Sequence, residues 1–194
     1  VDVSGGNIGI YSKNFRFLGS SSQYFKASDS ADWDIFGSTL DDWTLFLRVR
    51  FDAAASGTEN LLAQYEDASN RWLLRRETGG LRFIYERSGV TDISLLAGSP
   101  GGTTWYDLCV CKVGTDVGMY LDGSQIAYDG AFTAATFTGS FYVGQLGSGT
   151  NYLSGRVNDV LVINQNIFNA APVSGNTDAI TIPSGLNLIA KGVL

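Results

Sequence analysis

Alternating apolar and polar side chains limit this chain to extended strands over much of its length. The clearest example is the segment 43–51. Its apolar side consists of Trp43, Leu45, Leu47, Val49 and Phe51, and its other side includes Thr44, Arg48 and Arg50. Successive side chains of a strand point to opposite faces, so this pattern predicts a strand with one buried face. We find no run of convincing length with the 3.6-residue apolar spacing of an amphipathic helix.

A tight turn at Asp122-Gly123 predicts a hairpin between two apolar segments. This residue pair favours a two-residue turn, which sets Leu121 opposite Ser124. In that register one face of the hairpin carries Val117, Met119, Leu121 and Ile126.

Gly79-Gly80 predicts a second hairpin, between the segments 71–78 and 81–87. Glycine can adopt the positive φ angles that a two-residue turn requires. The shared apolar face contains Trp72, Leu74, Leu81, Phe83 and Tyr85. On the other face Glu77 is expected to lie opposite Arg82, a favourable cross-strand pair.

Further short strands complete an all-β pattern. They are predicted at 15–18, 24–26, 93–96, 105–113, 140–144, 155–163, 179–182 and 186–190. Many short strands joined by tight turns are typical of a two-sheet antiparallel β-sandwich. The 194 residues suit one such domain, which we expect to span residues 1–194. Residues 170–194 are predicted to form an added strand or a junction to a neighbouring protein.

Composition and charge exclude several kinds of partner. The formal net charge of −6 makes general attraction to nucleic acid or anionic membrane unfavourable, because phosphate binding needs clustered positive charge. No apolar run reaches the length of a membrane span, so we expect no membrane insertion. The first residues also lack the basic and apolar pattern of an export signal.

Cys109 and Cys111 lie two positions apart in a predicted strand, so both side chains point to one face. A disulfide between them would strain an extended backbone. We therefore expect two free, buried thiols, which favours synthesis in a reducing compartment.

Three stretches are informative when they are taken in order along the chain. The first is 15–25 (FRFLGSSSQYF), the second is 43–50 (WTLFLRVR), and the third combines 105–110 (WYDLCV), 120–123 (YLDG) and 153–160 (LSGRVNDV). Together they resemble the strands of the laminin-G-like branch of the concanavalin A-like lectin/glucanase superfamily, over roughly residues 15–168. The resemblance implies a jelly-roll sandwich, and a function in sugar binding, adhesion or scaffolding.

The sequence contains few of the residue patterns that enzymes of this fold use for catalysis. The chain has no histidine, which removes the usual general base and the commonest metal ligand. Related endoglucanases carry an E-x-D-x-E strand, whereas the glutamates here have no acidic residue two positions away. They are Glu59, Glu66, Glu77 and Glu86. We therefore expect a protein that is not an enzyme.

Calcium is the one candidate cofactor, because many relatives in the resembled family hold it at the rim of the sandwich. Oxygen ligands would have to converge there. The candidates are Glu66, Asp67 and Asn70, with Gln145, Ser148 or Asn151 from the loop after Gly144. That second loop lacks acidic residues, so ordinary solvated loops are the favoured alternative.

Loop aromatics suggest a sugar contact. Trp33 lies in a polar segment, and Tyr65 and Tyr152 could join it, because an aromatic ring can stack on a sugar ring. With Gln145 and Asn151 they form the predicted ligand-binding set. The alternative is that Trp33 is buried, as tryptophan usually is. The other tryptophans, Trp105 included, are assigned to the core.

Seven of the nine arginines fall in three successive predicted strands. Arg48, Arg50, Arg75 and Arg82 are predicted to share one outward face. Such a face suits carboxylated or sulfated sugars, or acidic protein surfaces. A solvated sheet face with edge-protecting charge explains the same pattern and is favoured.

Our leading functional hypothesis is a non-catalytic recognition and adhesion module. It is expected to bind carbohydrate, such as a host-surface polysaccharide, from a virion (a phage tail or capsid) or another extracellular assembly. The alternative is a structural decoration domain whose partners are neighbouring virion subunits. A glycan hydrolase or lyase is the less favoured third class.

Overall fold

The chain forms fourteen β-strands, as seen in a computed structural model that describes residues 2–3, 8–10, 14–98 and 100–183. In chain order they are β1 (Asp2–Val3), β2 (Ile8–Ile10), β3 (Phe15–Phe17), β4 (Phe25–Ala27), β5 (Trp43–Phe51), β6 (Glu59–Tyr65), β7 (Arg71–Glu77), β8 (Gly80–Arg87), β9 (Val90–Ala97), β10 (Trp105–Val113), β11 (Asp116–Leu121), β12 (Ser124–Asp129), β13 (Ser140–Val143) and β14 (Gly155–Ile163). Two short 3₁₀ turns lie at Gly19–Ser21 and Ala31–Trp33. The predicted strand at 186–190 lies outside the described residues.

The strands form two antiparallel sheets. The first sheet has eight strands in the order β1-β2-β14-β5-β10-β11-β12, with β3 also paired to β14. The second sheet has six strands in the order β4-β13-β6-β7-β8-β9. This arrangement confirms the predicted all-β, two-sheet antiparallel sandwich.

The core lies between the two sheets and is built from alternate side chains. The apolar side of β5 is fully buried, as the pattern at 43–51 predicted. The second sheet contributes Trp72, Leu74, Leu81, Phe83 and Tyr85 to the same core. These residues lie on one face of β7 and β8, as predicted. Phe36, from the loop before β5, contacts the rings of Trp43, Trp72 and Tyr85 at centroid distances of 4.7, 5.3 and 5.5 Å. This loop therefore closes one end of the sandwich.

Both predicted hairpins form. Asp122 and Gly123 have φ angles of 49° and 87°, and Leu121 pairs with Ser124. A bulge after Met119 then sets Ala127, rather than Ile126, opposite Met119.

The other hairpin turns one residue earlier than predicted, which changes every cross-strand partner by two positions. Glu77 pairs with Gly80, so Thr78 and Gly79 form the turn. A shift of two residues keeps every side chain on its predicted face. Gly80 is needed at this point because its φ is +133° and a Cβ would overlap the carbonyl oxygen of Gly98. Glu77 still accepts a hydrogen bond from Arg82, on the diagonal, at 3.3 Å.

A second apolar cluster covers one half of the outer face of the first sheet. Residues 164–183 cross this face and bury part of it under Phe168, Ala170 and Ile180. The sheet contributes Phe46, Cys109, Cys111, Tyr120, Leu161 and Ile163. The described part of the C-terminal segment therefore packs on its own domain.

Hydrogen bonds fix the same segment to the hairpin edge. Tyr120 Oη donates to Asp178 Oδ2 at 2.7 Å, and Gln125 N donates to the carbonyl oxygen of Asp178 at 3.0 Å. A single antiparallel bridge joins Ser124 to Ala179, where a short strand was predicted. The segment thus extends the sheet edge by one bridge.

The two cysteines are free and buried in this second cluster, as predicted. Their Sγ atoms lie 3.2 Å apart on one face of β10. Burial is the largest cause that raises the pKa of the Cys109 thiol well above its usual value. The Cys109 thiol therefore stays protonated, and both cysteine side chains belong to the packing.

Removing the Phe168 ring tests the role of the C-terminal segment. Phe168→Ala is expected to lower the free energy of unfolding by about 3 kcal/mol, because it deletes a buried aromatic side chain. Urea unfolding followed by fluorescence measures the change. Leu40→Ala is the control, because Leu40 is 89% exposed, and it should change stability by less than about 0.5 kcal/mol. Equal effects of the two substitutions would show that the segment does not stabilise the sheet.

Candidate functional site

The loop 145–152 folds over the second sheet, where Leu146 packs with Ala63, Leu73 and Ile84, and it meets the loop 63–70 at Tyr65. The Tyr65 ring packs so closely on Gly147 that a Cβ there would lie 2.7 Å from the ring. Asn60 Nδ2 donates to the carbonyl oxygen of Asn151 at 3.3 Å, and Asn60 N donates to the same oxygen at 2.8 Å. The structure thus brings Tyr65 close to the loop that contains Asn151.

The three residues proposed as calcium ligands use their oxygens to shape the loop 63–70. Asp67 Oδ1 accepts hydrogen bonds from Ser69 N at 2.6 Å and Asn70 N at 2.9 Å. These bonds lower the pKa of Asp67. Glu66 Oε2 accepts from Thr138 N at 3.1 Å. Asn70 Oδ1 accepts from Ser88 N at 3.0 Å. In the described ranges no group of three or more Cys, Asp or Glu side chains could hold a metal ion.

Two members of the predicted ligand-binding set point into the protein. Trp33 is 4% exposed, and its ring lies 6.2 Å from that of Phe141 in the core. Gln145 is buried as well. The polar sequence around Trp33 does form a 3₁₀ turn, but the indole packs inward and cannot stack on a ligand from solvent.

Tyr152 lies in an exposed aromatic group that the sequence did not indicate. Its ring centroid is 6.2 Å from that of Tyr24, which in turn lies 6.2 Å from Tyr142. Tyr24 is exposed and Tyr152 is half-buried. A ligand contact by Tyr65, Asn151 and Tyr152 stays a prediction, with Tyr24 as a neighbour.

The four arginines predicted to share one face do not do so, and that prediction is wrong. Arg48 and Arg50 belong to the first sheet, whereas Arg75 and Arg82 belong to the second. The chain crosses between sheets after β5, and the local pattern does not reveal this crossing. Both Arg75, at 2.7 Å, and Arg82, at 3.3 Å, form an ion pair with Glu77.

A cleft opens on the outer face of the first sheet, on the half that the C-terminal segment leaves uncovered. Its volume is about 450 Å³, and it is lined by Asn14, Arg48, Trp105, Asp107 and Asn158. The register of β5 and β10 builds its floor, because Arg48 pairs with Asp107 and Arg50 pairs with Trp105.

Trp105 was assigned to the core, and the structure corrects this. Its side chain is 41% exposed at the edge of the cleft. Trp105 has the same strand parity as Asp107, Cys109 and Cys111, so it lies on the outer face. The parity with Asp107 was the signal in the sequence that could have revealed it.

Ion pairs fix the polar floor of the cleft. Arg48 donates to both oxygens of Asp107, from Nε at 2.6 Å and from Nη2 at 2.8 Å. Asp159 lies 3.8 Å from Arg48 Nη1. The Asp107 hydrogen bond is the main cause that raises the pKa of Arg48. Such a two-point pair holds both groups in a fixed orientation beside the exposed indole.

The cleft therefore combines a flat aromatic surface with oriented hydrogen-bonding groups. An indole face can pack on an apolar ring face of a ligand, while planar polar groups bind its hydroxyls.

Among the described residues, no helix is long and apolar enough to cross a membrane.

Comparisons with known proteins place this geometry in context. A family model described as the concanavalin A-like lectin/glucanases superfamily matches residues 19–171. No curated protein sequence gives a significant match. Solved structures share the fold at identities that support a likeness of fold alone.

Three of these structures illustrate the likeness. A leech intramolecular trans-sialidase has a TM-score of 0.63 at 11% identity, covering 84% of this chain and 26% of that one. The CBM40 of the Ruminococcus gnavus IT-sialidase has a TM-score of 0.63 at 11% identity, covering 81% and 92%. Botulinum neurotoxin type C has a TM-score of 0.54 at 11% identity, covering 68% and 34%. The chain thus spans about a quarter of the trans-sialidase but nearly all of the CBM40.

Calcium is expected to leave the stability of the protein unchanged, because Glu66, Asp67 and Asn70 already hold the loop through hydrogen bonds. Thermal unfolding is measured in EDTA, in millimolar calcium and in millimolar magnesium as the control ion. A site occupied at about 100 times its dissociation constant would add about 2.7 kcal/mol. A rise in melting temperature with calcium that Asp67→Asn abolishes would contradict this expectation.

Proposed function

Because this chain belongs to the concanavalin A-like lectin/glucanase superfamily, we propose that it is a non-catalytic carbohydrate-binding module. Two structural neighbours support a sugar ligand. One is the Ruminococcus gnavus CBM40 bound to α2,3-sialyllactose, and the other is botulinum neurotoxin type C, whose cell entry is dependent upon interaction with two ganglioside molecules. The CBM40 match covers 92% of that module, so the shared fold is the fold of a whole sugar-binding module in that protein.

The observation that carries this proposal is the exposed Trp105 beside the polar cleft. An aromatic ring exposed in isolation is unfavourable in water, whereas next to oriented polar groups it matches the two kinds of surface on a sugar ring. Asn14 and Asn158 supply further amide donors and acceptors in the cleft. We therefore place the glycan on the outer face of the first sheet.

The state of the cleft carboxylate supports binding rather than hydrolysis. Glycosidases need a carboxylic acid held protonated beside a second carboxylate. Both oxygens of Asp107 accept hydrogen bonds from Arg48. Asp159 lies near the same guanidinium group. The carboxylates of the cleft are thus held by an arginine and are not paired with each other as a catalytic acid and base would be.

The setting is part of the same proposal. We place the module on a virion or another extracellular assembly, with a host-surface polysaccharide as its partner. The alternative function is a structural decoration domain. It requires the C-terminal segment, which lies beyond the resemblance to the family, to dock on a neighbouring subunit. Residues 164–183 pack on the domain itself, so this segment favours the carbohydrate-binding role.

Trp105→Ala is expected to weaken glycan binding at least about tenfold, because a stacking partner worth about 1.5 kcal/mol is removed. A glycan array identifies ligands, and isothermal titration calorimetry then measures the affinity of the best one. Trp105→Phe should retain part of the affinity.

Leu96→Ala is the matched control, because Leu96 is 47% exposed and lies on the second sheet. It should bind with the affinity of the unsubstituted protein. Undiminished binding by Trp105→Ala would place the ligand elsewhere. If the protein binds no glycan on the array, the proposal is wrong.

A further inference from the structure

Three arginines and Trp105 form one row across four neighbouring strands. Arg16 of β3 pairs with Arg156 of β14, and Arg156 pairs with Arg50 of β5. Arg50 then pairs with Trp105 of β10. We call Arg16, Arg156 and Arg50 the arginine row. It borders the cleft, whose Arg48 and Asp107 form the next cross-strand pair along β5 and β10.

The arginine row is unfavourable for folding. Neighbouring strands lie about 4.8 Å apart, so like charges in direct register repel one another. The interactions of Arg16 and Arg50 with the rest of the protein offset little of this repulsion. Arg16 lies 3.9 Å from Asp52, with side chains 55% and 32% exposed, which makes the pair of little energetic value. Arg50 Nε donates to a neutral group, the carbonyl oxygen of Thr103, at 2.9 Å. Arg156 has no carboxylate within 4.0 Å among the described residues.

The other arginines of the chain are arranged differently. Each has a carboxylate oxygen at 3.3 Å or less: Arg48, Arg71, Arg75, Arg76, Arg82 and Arg87. The chain as a whole is acidic, with a formal net charge of −6. In the described part of the chain, the three arginines of the row are thus the arginines that lack a carboxylate oxygen within 3.3 Å, and general basicity does not explain this.

We propose that the arginine row extends the Trp105 cleft into a site for an anionic glycan, one that carries carboxylate or sulfate groups. This inference rests on the proposed carbohydrate-binding function and adds the class of sugar. The glycan runs across the strands, with one ring stacked on Trp105 and its acidic groups on the guanidinium groups of Arg50, Arg156 and Arg16. Guanidinium groups fit both carboxylate and sulfate oxygens through paired N–H donors.

The exposed indole favours a glycan over an acidic protein surface as the ligand. A charged peptide would use the arginines alone, whereas a sugar chain also uses the stacking surface at the end of the row. A single glycan ligand thus explains both the arginine row and the exposed indole of Trp105.

The test compares three oligosaccharides of equal length by isothermal titration calorimetry: a neutral cello-oligosaccharide, an oligogalacturonate and a sulfated heparin fragment. We expect at least one acidic ligand to bind at least about tenfold more tightly than the neutral one. Its affinity should fall as sodium chloride increases, because salt screens exposed charges. The heparin fragment carries both carboxylate and sulfate groups, so binding of this ligand without binding of the oligogalacturonate would show that sulfate is required.

Arg156→Gln is the informative variant, and Arg87→Gln is its matched control with the same change in net charge. Arg87 pairs with Asp92 on the second sheet. We expect Arg156→Gln to weaken acidic-ligand binding about tenfold and to leave the neutral ligand unaffected, while Arg87→Gln changes neither. The melting temperature of Arg156→Gln should stay the same or rise, because a like-charge neighbour is removed. A fall in that temperature would indicate a structural role and count against the inference.

The outcomes separate this inference from the proposed function. If the neutral ligand binds as tightly as both acidic ones and Trp105→Ala abolishes binding, the module is confirmed and the anionic specificity is wrong. If Arg87→Gln weakens binding as much as Arg156→Gln, or if polyglutamate competes as well as the acidic glycans, the arginine row is not a glycan site. If no oligosaccharide binds, both proposals fail.

Discussion

The structure depends on how apolar side chains on both faces of the first sheet are removed from water. The inner face packs against the second sheet, as the alternation in β5 requires. The outer face is also apolar around Phe46, Tyr120 and Leu161, and the segment 164–183 covers this part. The other part carries charged and polar groups and needs no cover. The candidate site is thus the part of the sheet that residues 164–183 do not cover.

Much of the fold followed from local patterns, because strand alternation and turn residues act over a few positions. The segment 43–51, the Asp122-Gly123 turn and the buried thiols are examples. Trp105 shows where that reasoning fails. Its strand carries apolar residues on both faces, so alternation alone does not say which face is buried. Assigning an aromatic residue to the core was then the natural error.

The arginine row could not be read from the sequence for a different reason. It joins Arg50 to Arg156, residues far apart in the chain that only the pairing of β5 with β14 brings into register. The same nonlocal information corrected the predicted face of Arg48, Arg50, Arg75 and Arg82. The burial of Trp33 likewise depends on Phe141, which lies on the distant strand β13. Sequence patterns identified the right residue types for sugar recognition but grouped them on the wrong surfaces.

The central claim is that a glycan binds on the outer face of the first sheet, against Trp105. The chain has four tryptophans, and Trp33, Trp43 and Trp72 are buried while Trp105 is exposed. Each gives one indole N–H signal in a ¹⁵N-correlated NMR spectrum, and Trp105→Phe assigns the signal of Trp105. On titration with the tightest-binding oligosaccharide, the account predicts a shift of the Trp105 signal while the other three stay in place. A shift confined to backbone signals of residues 65–70 and 145–152, with the Trp105 signal unmoved, would contradict it.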